Sequence, residues 1–208
     1  MSRTGRFITL EGGEGAGKST QARRLAAALA AAGLPVLRTR EPGGAPGAEA
    51  IRAVLLEAGP WDPVAETMLH FAARREHLAR TIRPALAAGL WVVCDRFADS
   101  TLAYQVAGQG TPRAVWDGLA AIALEGVGPD LTLVLDIAPA TGLARAAARG
   151  GTNRYEALGV DVHERIRAAF LDIAAAEPGR CVVVDAVAEA DAVTGAIMAA
   201  IRERLGVG

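Results

Sequence analysis

With 208 residues, 51% of them hydrophobic, the chain can bury one sizeable core, and nothing in it forces a second domain. Lys and Arg number 22 against 23 Asp and Glu, so there is no global basic field of the kind that gathers nucleic acid. The Ala-rich stretches carry Arg or Glu every few residues and never reach the roughly 18 unbroken apolar residues of a bilayer span, and the opening stretch has too short an apolar run for an export signal. The expectation is one soluble domain over residues 1–208, working in the cytoplasm and bound to neither membrane nor nucleic acid.

In chain order, five short apolar runs read as strands: Phe7 to Leu10, Pro35 to Leu37, Leu90 to Cys94, Leu131 to Leu135 and Cys181 to Val184. Runs without strict alternation suit a parallel sheet covered on both faces. Between them lie amphipathic helices. Ala22, Leu25, Ala26 and Leu29 fall at helical spacing, and Gly33 followed by Pro35 stops that helix. Asp161 followed by Glu164 has the look of a capping box, and Val193, Ile197, Ile201 and Leu205 recur every four residues. The class is α/β, with a five-stranded parallel sheet between two layers of helices. The Gly- and Pro-dense segments REPGGAPG (40–47) and RGGTNRYE (149–156) read as loops, where binding residues concentrate. Cys94 and Cys181 sit inside apolar strands and read as buried thiols. His70, His77 and His163 show no metal-ligand spacing.

The first strand runs into Gly12, Gly13, Glu14, Gly15, Ala16, Gly17, Lys18 and Ser19, a complete GxxxxGK[ST] motif, with Thr20 opening the helix that follows. Its glycines let backbone N–H groups point at phosphate oxygens and the helix start adds the positive end of its dipole. Lys18 reaches the β- and γ-phosphates and Ser19 ligates Mg²⁺. This is the three-layer α/β/α arrangement of the P-loop NTPases. The motif alone does not separate kinase, GTPase, motor and regulatory ATPase, but the late part of the chain lacks an NKxD-type guanine-reading sequence. The third strand ends in Asp95, a carboxylate placed to hold Mg²⁺, and Arg96 follows it, suited to a second phosphate. Asp136 ends the fourth strand and reads as structural.

GGEGAGKST, TREPGG, FAARR, DRFADSTLAYQ, PDLTLVLD and ARGGTNRYE occur in the order and spacing typical of bacterial thymidylate kinases, and the resemblance covers almost the whole chain. It implies transfer of the γ-phosphoryl group of ATP to dTMP, with Mg²⁺ as cofactor and a homodimer as the assembly. It implies that Phe71 stacks on thymine, that Arg75 reads a thymine carbonyl, and that Ser100, Thr101 and Gln105 surround the base. Tyr104 would crowd the 2′ position of the sugar, Arg52 and Arg96 would grip the acceptor phosphate, and Glu14 would meet the 3′-hydroxyl. Arg40, Glu41 and Pro42 would shape the pocket wall. A lid at about 145–157 would bring Arg149 and Arg154 to the γ-phosphate, with Gly150 and Gly151 letting it close; Arg145 either belongs to this group or is a surface residue of the preceding helix.

Two other readings stand beside this one. A kinase of another nucleoside monophosphate, or of a deoxynucleoside, would differ only in the pocket. A regulatory P-loop ATPase would turn over ATP without an acceptor, and leaves DRFxxST unexplained.

Overall fold

The computed structural model describes residues 5–150 and 154–207. Strands β1 (Phe7–Glu11), β2 (Val36–Arg40), β3 (Trp91–Asp95), β4 (Leu131–Asp136) and β5 (Cys181–Asp185) form one parallel sheet in the order β2-β3-β1-β4-β5. The central strands β1 and β3 are buried at every residue, which is why FITLE and WVVCD are mostly apolar without alternation, their closing carboxylates Glu11 and Asp95 being buried as well. Edge strand β2 starts one residue later than its apolar run suggests and extends to Arg40. Its half-exposed residues pair with β3 from Val36↔Trp91 to Arg40↔Asp95, so the ladder carries it past the last apolar side chain.

Helices α1 (Lys18–Ala31) and α9 (Ala190–Leu205) cover one face. There Ile8, Leu10 and Leu133 meet Leu25, Leu29, Ile197 and Ile201 in one buried cluster. The other face takes Phe7, Val92 and Cys94 from the strands. They pack on the long helix that runs from α3 (Pro63–His77) through a π-helical stretch, Leu78–Ile82, into α4 (Arg83–Ala87). Helix α8 (Val160–Ala176) closes this face over Val134 through Ile166 and Phe170. Helices α2 (Pro46–Glu57), α5 (Ala98–Thr101), α6 (Arg113–Leu124) and α7 (Pro139–Ala148) flank these layers. Cys94 and Cys181 are buried and unbridged, as expected of strand thiols.

Two helix ends show how local sequence works. α1 stops at Gly33, whose φ of +78° suits glycine, with Leu34 N–H bonded to Leu29 O at 3.1 Å and Gly33 N–H to Ala30 O at 2.9 Å. The expected capping box on Asp161 is not made. α8 begins at Val160 with Gly159 at the cap, so Asp161 falls in the first turn and pairs with Arg165 at 3.2 Å instead.

The chain passes from β1 to one side of the sheet and later crosses to β4 on the other. The loops at the carboxyl ends of β1, β3 and β4 therefore border one crevice, the usual ligand position in open α/β sheets.

Candidate active site

The loop after β1 is held open by close backbone packing. Gly15 lies against the Gly142 carbonyl so tightly that a Cβ there would overlap it, and its φ is +69°. Gly12, at φ +133°, likewise leaves no room for a Cβ beside the carbonyl of Leu135. The glycines thus let the loop touch its neighbours, and Gly15 and Gly17 border the crevice. Gly17 caps α1, and Lys18, Ser19 and Thr20 form its first turn. Lys18 is buried and donates to Gly13 O at 2.6 Å. Burial, and then the nearby Arg96 charge, bring its ammonium down to about 8. The Ser19 hydroxyl lies 2.5 Å from Asp95 Oδ2. A hydroxyl beside a carboxylate at a phosphate cradle is a hard oxygen donor set that fits Mg²⁺. Among the described residues there is no group of three or more His, Cys, Asp or Glu that could hold a metal ion, and Mg²⁺, which binds mostly through water and phosphates, does not need one.

β3 ends in a turn that aims Arg96 back at this loop. Arg96 has φ +72°, a conformation costing roughly 1–2 kcal/mol for a side-chain-bearing residue. The turn is held by Arg96 N–H to Leu10 O at 3.0 Å and Phe97 N–H to Glu11 Oε1 at 2.7 Å, while Ser100 donates to Glu11 Oε2 at 2.5 Å. The guanidinium of Arg96 meets Glu14 Oε1 at 2.7 Å, Tyr104 Oη at 3.1 Å, Gly12 O and Ser100 Oγ at 3.3 Å. Tyr104 also donates to Glu14 at 2.8 Å. Burial alone would raise the Glu14 carboxyl, but Arg96, Lys18 and the Tyr104 hydroxyl outweigh it and hold it at about 2. Burial likewise works against the Arg96 charge, and Tyr104, Glu14 and Asp95 more than restore it.

These groups line a cavity of about 290 Å³ that also takes in Arg40, Glu41, Pro42, Arg52, Ser100, Thr101 and Gln105. Arg52 leans on it with Nη1 2.8 Å from Pro42 O. Tyr104 and Gln105 come from a π-helical stretch, Leu102–Gly108, of the sort that often marks functional sites.

On α3 the structure turns the two expected base-site residues away from the cavity. Phe71 is 2% exposed and lies outside the cavity, packed edge-on against Trp116 at 5.9 Å with Ala120 and Ala123 of α6. Arg75 is outside it too, on the surface with Glu125 at 2.8 Å. The residues of α3 that line the cavity are His70 and Arg74. The physical reason is helix phase: one residue is about 100° of rotation, enough to carry a side chain from the crevice to the α6 interface. Arg74 is buried, with Nε 2.7 Å from Glu41 Oε2 and Nη2 bonded to Phe97 O at 3.0 Å and Thr101 Oγ1 at 2.9 Å. Its Nη1 is buried with no hydrogen-bond partner. Its guanidinium lies 4.9 Å from the centre of the Phe71 ring and 5.3 Å from that of Phe97, so Phe71 supports a site residue from behind. His70 is held neutral, since burial and then Arg74 push its imidazole down to about 3. Polar residues at 66, 70 and 74, four apart, were the available sign of which face looks into the crevice.

The lid expectation divides. Residues 145–148 belong to the last turn of α7, and Arg145 bonds Ala186 O at 2.8 Å and Val187 O at 2.7 Å. Arg149 lines the cavity. Gly150 has φ +75°, whereas Gly151, with residues 152 and 153, lies outside the described residues. Arg154 does not line the cavity; its guanidinium is bonded to Glu66 and, at 3.1 Å, to Leu55 O. A buried carboxylate, Glu66 being 1% exposed, holds it there. Tyr155 and Glu156, which follow, do line the cavity. Asp136 takes Arg167 in a two-pronged pair at 2.7 and 2.9 Å, the structural use expected of it.

A thymidylate kinase family model matches residues 10–197. The thymidylate kinase of Caulobacter vibrioides is 57% identical, over 98% of this chain and 99% of its own. That of Trichlorobacter lovleyi is 48% identical, over 97% and 99%. Among solved structures, thymidylate kinase from Ehrlichia chaffeensis superposes with a TM-score of 0.78 at 32% identity, over 95% of this chain and 98% of that one. With a crevice that joins a phosphate cradle to a polar helix wall, and with relatives this similar along the whole sequence, the chain belongs to the thymidylate kinase family.

Proposed function

We infer that the protein transfers the γ-phosphoryl group of ATP to dTMP, giving ADP and dTDP, with both nucleotides in the one cavity. The observation that carries this reading is the cavity's lining, which joins Glu14, Lys18 and Ser19 of the glycine-rich loop and the helix it opens to His70, Arg74 and Gln105 of the helical wall. A phosphate oxygen of dTMP attacks the γ-phosphorus while the bond to the β-phosphate oxygen breaks and ADP keeps that electron pair. Catalysis of such a step is positioning and charge neutralisation. Lys18 and the loop amides hold the β- and γ-phosphates; Arg96, fixed by Glu14 and Tyr104, and Arg52 draw in the acceptor phosphate; Arg149 approaches from the lid. Ser19 and Asp95 would hold Mg²⁺, which would supply charge that offsets the crowded phosphate oxygens.

For the acceptor base, Arg74 takes the role that the family resemblance gave to Arg75. Its unpaired Nη1 is a donor suited to a thymine carbonyl, where cytosine would present an amino group. The neutral imidazole of His70 is the aromatic wall on the same helix face, and Thr101 and Gln105 complete the surround. Tyr104 stands next to Glu14, consistent with a sugar that carries a 3′-hydroxyl and no 2′-hydroxyl.

The protein is further read as a cytoplasmic homodimer. Among the described residues no helix is long and apolar enough to cross a membrane. Helices α3 and α6 pack side by side and leave Met68 52% and Ile122 73% exposed, an apolar face that a second copy would cover. ADP production from Mg·ATP with dTMP, dUMP, dCMP, dGMP, AMP or no acceptor tests the activity, with Arg96→Ala beside the wild type. A strong preference for dTMP that collapses in the variant supports it; equal turnover without acceptor contradicts it.

A further inference from the structure

Glu66 is a buried carboxylate that the transfer chemistry does not use, and it collects hydrogen bonds from two separate parts of the chain. From the wall beside the base site come Gln105 Nε2 at 2.9 Å and Gln109 Nε2 at 3.1 Å. From the end of the lid come the Tyr155 hydroxyl at 3.0 Å and the Arg154 guanidinium, which also reaches Leu55 O at the end of α2. Glu66 itself is on α3, one turn before His70. Tyr155 Oη lies 2.9 Å from His70 Nε2. A phenol has a single proton, and the Glu66 carboxylate can only accept. Tyr155 therefore donates to Glu66 and accepts from a protonated Nε2, which fixes the tautomer of His70 and the plane of its ring. Arg154 also stacks on the Tyr155 ring at 4.9 Å, and that ring meets Tyr104 edge-on at 5.8 Å.

We propose that Glu66 is a positioning residue that straps the end of the lid to the base site, with Arg154 as its counterion and Tyr155 as the buckle. This deepens the dTMP assignment and rests on it. A carboxylate this deeply buried keeps its charge only while it is paired, so loss of Arg154 frees Glu66, and with it Tyr155, Gln105 and His70 lose their fixed positions. Arg154 then serves acceptor binding from outside the cavity, and Arg149 is the lid arginine left to meet the phosphates. Coupling runs both ways: an ordered base site holds the lid end down, and a displaced lid end loosens the base site.

The experiment is steady-state kinetics with both substrates varied, on wild type, Arg154→Ala, Arg154→Lys, Glu66→Gln, Tyr155→Phe and the double variant Glu66→Gln/Arg154→Ala. The strap predicts that Arg154→Ala, Glu66→Gln and Tyr155→Phe each raise KM for dTMP by about 5- to 20-fold, the range for losing a buried hydrogen bond to a charged or shared partner. It also predicts that kcat stays within about threefold, KM for ATP within about twofold, and that Arg154→Lys recovers most of the loss. The double variant should be no worse than its poorer parent, because both changes break one contact. A purely structural role would lower the melting temperature and the active fraction without moving KM for dTMP, and that result overturns the strap. So does an Arg154→Ala variant that loses about 100-fold in kcat at unchanged KM for dTMP, the behaviour of an arginine on the transferred phosphoryl group. Tyr155→Phe keeps the ring and decides the matter if Glu66→Gln fails to fold. Absence of wild-type turnover with dTMP overturns the acceptor assignment and the strap together, whereas normal wild-type turnover with unshifted variants overturns the strap alone.

Discussion

The two ends of the cavity are built from different material. The phosphate end is mostly main chain: glycines pressed against Gly142 and Leu135, the amides of the loop, and the start of α1, with Lys18 and Arg96 as its chief side chains. The base end is side chain throughout, from α3 and from the π-helical stretch that carries Tyr104 and Gln105, and each member is held by a second residue behind it. Arg74 is pinned by Glu41, Phe97 and Thr101, and His70 by Tyr155. A cradle of backbone amides binds any nucleoside triphosphate alike, so selectivity has to come from the end where side chains can be exchanged. The first end should lose rate when altered, and the second should lose acceptor affinity.

The largest effect expected of this division is on kcat. Lys18→Ala and Arg96→Ala should each lower it by about 10²–10³-fold or more, the scale for removing one preorganised donor to a transition-state charge, and single-turnover assays would show the loss in the chemical step. At the base end the largest effect is on stability. Arg74→Ala leaves Glu41 buried without its guanidinium, and urea unfolding should show a loss of about 3–5 kcal/mol.

Two pH effects sharpen the contrast. Lys18 is drawn down to about 8 in the ligand-free protein, so kcat/KM for ATP should fall as pH rises through that value and the ammonium is lost, while kcat at saturating ATP holds further. At the base end His70 lies near 3 against an ordinary 6.5. Its lowered value means the unfolded chain takes the proton first, so stability should drain as pH falls from about 6.5 toward 3, and His70→Phe should flatten that slope in acid-unfolding curves. The smallest effects belong to α3 residues one step out of phase. Phe71→Leu, which touches Arg74 only from behind, should move KM for dTMP by no more than about threefold, in line with the modest worth of one cation–π contact.

The same contrast explains what the sequence could and could not disclose. The P-loop is contiguous, so GGEGAGKST names its residues by position, and the carboxylate Asp95 and Arg96 are adjacent at a strand end. The five strands were legible because buried parallel strands are mostly apolar; β2, held by pairing with β3 at half-exposed residues, ran furthest beyond its apolar signal, to Arg40, while the others ended one residue past theirs, at Glu11, Asp95, Asp136 and Asp185. A helix face is different, since its members are spread over four-residue steps and a one-residue error in phase selects other side chains. Phe71 is the aromatic that a linear reading selects, while His70 and Arg74 are the α3 side chains on the face that looks into the crevice. The fate of Arg154 was hidden for another reason. Its partner Glu66 is 88 residues away in sequence, and no local pattern announces a pair that only the packing of α3 against the chain after α7 brings together.

The most direct test of the account is KM for dTMP in Arg74→Lys compared with Arg75→Ala. Lysine keeps the charge and loses the planar set of donors, so the account predicts a rise of about 10-fold or more for Arg74→Lys and no change beyond about twofold for Arg75→Ala, whose side chain pairs with Glu125 at the surface. The reverse pattern, with Arg75→Ala impaired and Arg74→Lys indifferent, would contradict it and return base recognition to the outer face of α3.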